Sequence, residues 1–379
     1  MDKDRLKIRV LSKTEQIVEY LRKQILIGEL KPDNQVMSET KLAKLFGIGT
    51  ITVRRAFSEL EAEGLIYRIQ GKGTFVHSPA MDKTGRLGVI VYHCDNPYYA
   101  KIIRSIENYA NTEGYNIILC NSSGNLEKET FYISRIMSEV DGFLICPACR
   151  NGKTLSTGVH TLIAKKKPFV LMASVPQWVE KASGINYVIP DDFQSGYFAT
   201  KHLIENGYQK IYFLAPAELL KMNSIHKRLA GCKKAIKENG LTSSTLHILK
   251  TTGDDEFQGY TEDGYKASEH IMDLLQEHSA VLCSGDSLAI GLLKGLKEHG
   301  VKVPEDVGVC GNDDIEIASH WGIELTTISH PTSIISEKSL EILLKNIRMS
   351  NVKMIEEHCV VSVKLHRRNT TEQIAVAVT

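Results

Sequence analysis

The 379-residue chain has little tryptophan (2) and proline (10), few aromatic residues (7%) and almost no net charge, +1 from 46 Lys+Arg against 45 Asp+Glu. No apolar run approaches the roughly 18 residues that a membrane span needs. The opening Met-Asp-Lys-Asp-Arg-Leu-Lys-Ile-Arg lacks the apolar stretch of a signal peptide, which predicts a cytoplasmic protein with no membrane partner. Its eight cysteines are scattered, mostly within apolar runs such as Ile117-Ile118-Leu119-Cys120, and only Cys146 and Cys149 stand as C-x-x-C. With no second pair at suitable spacing a zinc site is not expected. Pro147 after the first cysteine argues against a thioredoxin-like motif, so both read as structural cysteines. Catalytic signatures are missing too. No GxGxxG or GxxxxGK[ST] loop follows a strand, and no Gly-x-Ser-x-Gly elbow or His-Glu-x-x-His occurs. The chain reads as a binder, without catalytic residues, cofactor or metal.

What is present is 42% hydrophobic residues, 24% charged, and length for two or three domains. Charge is uneven. Residues 1–79 hold 14 Lys+Arg against 10 Asp+Glu (+4), and the remainder 32 against 35 (−3). A basic head on an acidic body points the head toward a polyanion.

The head alternates helices and turns. Ile17, Tyr20, Leu21 and Ile25 repeat at helical spacing over 12–26, closed by Gly28 and Pro32. Ser38 caps a short second helix to Phe46, and Gly47-Ile48-Gly49 breaks the chain. Thr50 is then expected to cap a third helix, Ile51 to Glu63, with Val53, Phe57 and Leu60 inward and Thr52, Arg54 and Arg55 outward. Leu65–Gln70 and Thr74–Val76 flank the turn Gly71-Lys72-Gly73, a hairpin with a basic tip. Two helices across a glycine turn plus such a hairpin predict a winged helix-turn-helix, whose third helix enters the major groove while Lys72 reaches phosphate or the minor groove.

The body alternates strands and helices from Leu87 to Cys310, which implies two doubly wound parallel α/β lobes and a cleft between them for a small ligand. The expected divisions are a head over 1–77, a linker over 78–85 and an effector-binding and dimerisation body over 86–379.

Residues 12–77 resemble the GntR-type DNA-binding domain. The matching pieces are Ile27-Gly28-Glu29-Leu30-Lys31-Pro32, Ser38-Glu39, Phe46-Gly47, Thr52-Val53-Arg54-Arg55-Ala56, Glu63-Gly64-Leu65 and Gly71-Lys72-Gly73-Thr74-Phe75-Val76. The resemblance implies DNA contacts from Ser38, Glu39, Thr50, Thr52, Arg54, Arg55, Lys72 and Gly73. Gly49-Thr50 departs from the usual Ser-Arg, whose arginine commonly touches a guanine edge or phosphate. Thr50 is left to meet phosphate or a thymine methyl.

The body resembles LacI/GalR-type effector domains, themselves similar to periplasmic sugar-binding proteins. The match rests on Asn96-Pro97-Tyr98-Tyr99, Pro190-Asp191-Asp192, Lys227-Arg228-Leu229-Ala230-Gly231, Val303-Pro304-Glu305-Asp306-Val307-Gly308, Gly311-Asn312-Asp313-Asp314 and Leu325–Ile328 with His330-Pro331. The resemblance implies a sugar effector held by Asn96, Tyr98, Arg228, Asp286, Asp313 and His330, with Gly285 in place of an asparagine that often precedes Asp286. Trp178 is a candidate sugar-stacking or rim residue. A GntR-type head on a LacI-type body resembles the arabinose-repressor subfamily. The expectation is a homodimeric repressor of carbohydrate genes that binds duplex operator DNA and releases it when the sugar binds. Other readings remain open: a non-sugar effector such as a purine, a sugar-processing enzyme with a helical appendage, or an exported solute-binding protein.

Overall fold

The computed structural model describes residues 12–76, 83–149, 152–251, 260–349 and 356–372. They fall into two compact units, one built on residues 12–84 and the other chiefly on residues 85–372. The expected linker, 78–85, lies mostly outside the described residues.

In the first unit α1 (Lys13–Leu26) starts in a capping box. The Glu15 amide donates to Ser12 Oγ at 3.2 Å, and Ser12's own amide donates back to the Glu15 carboxylate at 2.7 Å. α2 (Glu39–Phe46) is capped by Ser38 and ends on Gly47 at φ 62°, the left-handed conformation that glycine adopts without strain. α3 spans Thr50–Ala62. Here the expectation for Thr50 is corrected: the cap position is Gly49, no side chain caps the helix, and Thr50 is its first helical residue. β1 (Ile66–Ile69) and β2 (Gly73–Val76) pair antiparallel, Ile66 opposite Val76. Ile17, Leu21, Leu42, Val53, Phe57, Leu60 and Ile66 form one core, as the helical period predicts. Gln35 Nε2 donates to the Lys72 carbonyl at 2.8 Å and fixes the hairpin tip. Gly73 stands at φ 119°, a conformation that strains residues with a side chain, so this position takes glycine.

The second unit holds two lobes. The first lobe contains β3 (Arg86–Val91), α4 (Pro97–Thr112), β4 (Asn116–Asn121), α5 (Leu126–Ile136), β5 (Gly142–Ile145), α6 (Thr157–Ala164), β6 (Phe169–Met172) and β7 (Tyr187–Pro190). α7 (Asp192–Glu205) opens the second lobe. It continues through β8 (Lys210–Ala215), α8 (Asn223–Glu238), β9 (Leu246–Lys250), α9 (Tyr260–Met272), β10 (Ser279–Cys283), α10 (Asp286–Glu298), β11 (Val307–Asp313) and β12 (Thr326–Ser329). The chain then returns to the first lobe in α11 (Thr332–Met349), whose Ile335, Leu343 and Ile347 pack under β3 and β5, and in β13 (His358–Val361); β14 (Lys364–His366) joins the second sheet. The sheet orders are β13-β7-β6-β5-β3-β4 and β14-β12-β11-β10-β8-β9. Every pairing is parallel except β12 with β14, so the expected parallel sheets hold with one antiparallel edge strand. Strands buried on both faces, such as Phe143-Leu144-Ile145, read as continuous apolar runs because helices cover both sides.

Two glycines set the approach of α7 to α8. A Cβ on Gly196 would fall 1.9 Å from the Arg228 carbonyl, and one on Gly231 2.1 Å from the Phe193 carbonyl. This close crossing brings the start of α7 against the second turn of α8, which places Asp192 beside Arg228.

Candidate functional site

On the first unit, α3 buries Val53, Ala56, Phe57 and Leu60 and turns Ile51, Arg54, Arg55 and Ser58 to solvent. Arg54 Nε donates to a Glu39 carboxylate oxygen at 2.7 Å. Glu39's other oxygen lies 3.6 Å from an Arg68 guanidinium nitrogen, and Arg68 also pairs with Glu61 at 3.0 Å. Glu39 thus ties α2 to α3 and to β1 and aims a cation, a role its charge suits better than direct contact with phosphate. Arg68 was not among the expected residues. Its signal was weak, because Glu39, one of the two carboxylates that order it, comes from α2, far off in the chain. Ser38 Oγ accepts from the Lys41 amide at 3.4 Å; Lys72 and Gly73 are exposed at the hairpin tip, and Thr50 and Thr52 are half-buried. α3 and the wing therefore carry the cationic surface that duplex DNA requires.

On the second unit, a cleft open to solvent lies between the lobes. Five of the six expected residues line it: Asn96, Tyr98, Arg228, Asp313 and His330. Asn96 serves as the N-cap of α4, its Oδ1 accepting from the Tyr98 amide at 2.9 Å. Arg228 Nε donates to Asp192 Oδ1 and Nη1 to the Ser284 carbonyl, both at 2.8 Å, while Nη2 has no hydrogen-bond partner among the described residues. Arg228 is therefore both ion-paired and part of the wall.

Asp286 is the correction. Its carboxylate is fully buried below the wall, accepting from the Ile315 amide at 2.9 Å and the Thr327 hydroxyl at 2.5 Å, and it does not line the cleft. Burial, opposed by those hydrogen bonds, pushes its pKa up to about 6. The residue before it does line the cleft. A Cβ on Gly285 would sit 3.2 Å from Asp313 Oδ2, so the glycine leaves that oxygen uncrowded. Trp178 does not line the cleft either: its indole N–H donates to the Lys153 carbonyl at 2.8 Å.

The back wall is a polar chain. Ser195 Oγ donates to Asn312 Oδ1 at 2.8 Å, which fixes the amide so that Nδ2 donates to Asp313 Oδ1 (2.9 Å) and faces His330 Nε2 (3.2 Å). Ser195 Oγ also lies 3.3 Å from His330 Nε2. Among the described residues His330 Nδ1 is buried with no hydrogen-bond partner, on a residue only 4% exposed. Burial, reinforced by the Arg228 charge, holds His330 well below the usual histidine pKa, so the ring is neutral. Asp313 is held well above the carboxylate range by burial and by Asp286, against the pull of Arg228. Its φ of 120° and the 66° of Ala173, on the opposite lobe of the same cleft, are strained for non-glycine residues, about 1–3 kcal/mol each. Aromatic rings close the other side. Tyr98 meets His330 edge-on at 5.6 Å and Tyr99 at 5.2 Å, and burial keeps both phenols protonated. Tyr92, Tyr99, Tyr260 and Ser174 are lining residues that were not expected: Tyr99 stands in the Asn96–Tyr99 piece but was not singled out, and no motif marks the other three, which only the fold brings together.

Polar contacts join the lobes beside the cleft. Lys227 and Asn223 of α8 donate to the Glu180 carboxylate, at 2.7 and 2.6 Å, and Lys101 donates to the Asp314 carbonyl.

A winged helix with a cationic face and a two-lobed α/β body with a polar cleft define a transcription regulator. Known proteins agree. Residues 13–76 match the bacterial regulatory proteins of the gntR family, and residues 200–371 match the periplasmic binding protein-like domain. The chain is 30% identical over 321 residues to the HTH-type transcriptional repressor PurR of Vibrio vulnificus, covering 81% of this chain and 91% of that one. It belongs to this family of HTH-type transcriptional repressors, with a gntR-family head. More particularly, it is similar over nearly its full length to the arabinose metabolism transcriptional repressor of Geobacillus stearothermophilus, 27% identical over 377 residues, covering 97% of this chain and all of that one. A LacI family transcriptional regulator from Enterococcus faecium, solved with bound ribose, matches with a TM-score of 0.65 at 27% identity, covering 76% of this chain and 99% of that one.

Proposed function

We propose that this repressor senses a neutral sugar in the interlobe cleft and releases its operator when the sugar binds. The observation that carries the reading is the cleft wall, which brings the neutral ring of His330 together with Arg228 and Asp313. Arg228 and Asp313 offer a donor and an acceptor, a set that suits vicinal hydroxyls. Charge favours a neutral ligand. Among the described lining residues Arg228 is the one Lys or Arg and it is already paired with Asp192, so an added phosphate would find no unpaired cation in that lining. The bound ribose of the Enterococcus regulator supports the same class.

The head contacts DNA through α3 and the wing. Thr50, Thr52, Arg54 and Arg55 approach base edges and phosphates, Lys72 and Gly73 extend the wing, Ser38 meets phosphate and Glu39 positions Arg54. Head, linker and body divide at 1–77, 78–85 and 86–379, and two copies pair so that two half-sites are read together. Unfolding of the whole chain against pentoses, hexoses, their phosphates and nucleobases identifies the ligand class, because a binder at 100 times its Kd stabilises by about 2.7 kcal/mol. With the ligand in hand, Arg228→Ala lowers its affinity by roughly 2–4 kcal/mol and leaves effector-free operator binding intact. Equal effector response in wild type and variant, or stabilisation by sugar phosphates alone, rejects the site.

A further inference from the structure

We infer that Ile51 is a base-reading residue, and that what it reads is the 5-methyl group of a thymine in the major groove. The inference rests on the docking of α3 proposed above. Ile51 is the second residue of α3 and is 69% exposed. Single exposed apolar side chains are ordinary on a protein surface, so exposure alone argues nothing. Position does. At 100° per residue, 51, 54, 55 and 58 share one face, opposite the buried 53, 56, 57 and 60. Ile51 is thus the one large apolar side chain on the face that carries Arg54 and Arg55, and it stands at the N-terminal end, where a recognition helix meets base edges. Arg54, anchored to Glu39, is directed one turn further along.

The residues around it narrow the target. Where related heads carry Ser-Arg, this chain has Gly49-Thr50, so the arginine that would bind a guanine edge is missing at the helix start. A branched aliphatic group offers no hydrogen bond. It gains from the groove only by covering apolar surface, and the thymine methyl is the apolar group exposed in the major groove of B-DNA. Thr50 and Thr52, both half-buried, flank Ile51 in the first turn. The expected preference is for A·T over G·C pairs at the position under Ile51.

The test uses the full chain and duplexes it selects from a random pool. Each thymine of the selected half-site is replaced in turn by deoxyuridine, which removes only the methyl. One thymine per half-site is expected to lose roughly three- to fivefold in affinity, the worth of one buried methyl. Ile51→Ala should bind the parent duplex weaker by a similar factor and no longer distinguish thymine from uracil there, whereas Ile51→Val should retain part of the difference. The inference is overturned if Ile51→Ala keeps the full thymine-over-uracil preference, or if no thymine in the half-site is methyl-sensitive. Failure of the docking itself looks different: Arg54→Ala and Lys72→Ala would then bind as tightly as wild type.

Discussion

Two arginine–carboxylate pairs of almost equal length sit in the two units and have opposite characters. Arg54 meets Glu39 at 2.7 Å with its side chain 64% exposed; Arg228 meets Asp192 at 2.8 Å with side chains 12% and 3% exposed. In water the first pair gains little and is easily remade with a phosphate. In the protein the second has given up its hydration, and each member depends on the other. Distance does not separate them; solvent does. A surface that must trade partners keeps its charges wet, and a cleft that must hold one geometry keeps them dry.

The comparison breaks most easily at the buried end. Asp192→Ala leaves the Arg228 guanidinium buried without its carboxylate and should cost the body about 3–5 kcal/mol in urea unfolding of the full chain. A loss below ~1 kcal/mol would mean that water reaches the pair. His330 comes next. Its folded pKa lies well below the unfolded 6.5, so the unfolded state takes up the proton first, and stability present above pH 6.5 is lost as the pH falls below it. His202, lowered by burial and Arg367, adds in the same direction. The difference between wild type and His330→Gln isolates the cleft residue: the variant should unfold with a shallower acid dependence between pH 6.5 and 5. Identical profiles would show that His330 is hydrated.

At the exposed end the effects turn on salt. Arg54→Ala and Lys72→Ala should each reduce the slope of log K against log[salt] by about 0.9, one released counterion per lost phosphate contact. Unchanged slopes would place these cations off the DNA. The smallest effect is Glu39→Gln, below ~1 kcal/mol in stability. It should also weaken operator binding, since Arg54 and Arg68 lose the carboxylate that orders them. Binding that matches wild type would show that Glu39 does not aim Arg54.

The head was legible nearly residue by residue, because its signals are local. Ser38 caps a helix that begins at the next residue, Gly47 ends it, and Val53, Phe57 and Leu60 repeat at the spacing of one helix face. Thr50 marks the limit: threonine both caps and starts helices, and the difference is one residue of backbone conformation. In the body, alternating apolar runs gave the lobes, but the site was read only in part. Asp286 stands just after β10 and Asp313 ends β11 of the same sheet, and either could line the cleft. The Ile315 amide after β11 and the Thr327 hydroxyl claim Asp286, and Asp313 is the one that lines it.

Sequence by itself determined what depends on neighbours a few residues apart: helix periods, caps, turn glycines, the basic tip at Lys72 and the α/β rhythm. Only the tertiary structure decided what depends on groups far apart in the chain. It returned α11 to the first lobe, paired Arg228 with Asp192 through the glycine crossing of α7 and α8, and buried His330 Nδ1 without a partner among the described residues. The reason is physical. Local order follows from short-range sterics and backbone hydrogen bonds, whereas the charge, tautomer and exposure of a site side chain are set by desolvation, which exists only once the distant surfaces have closed around it.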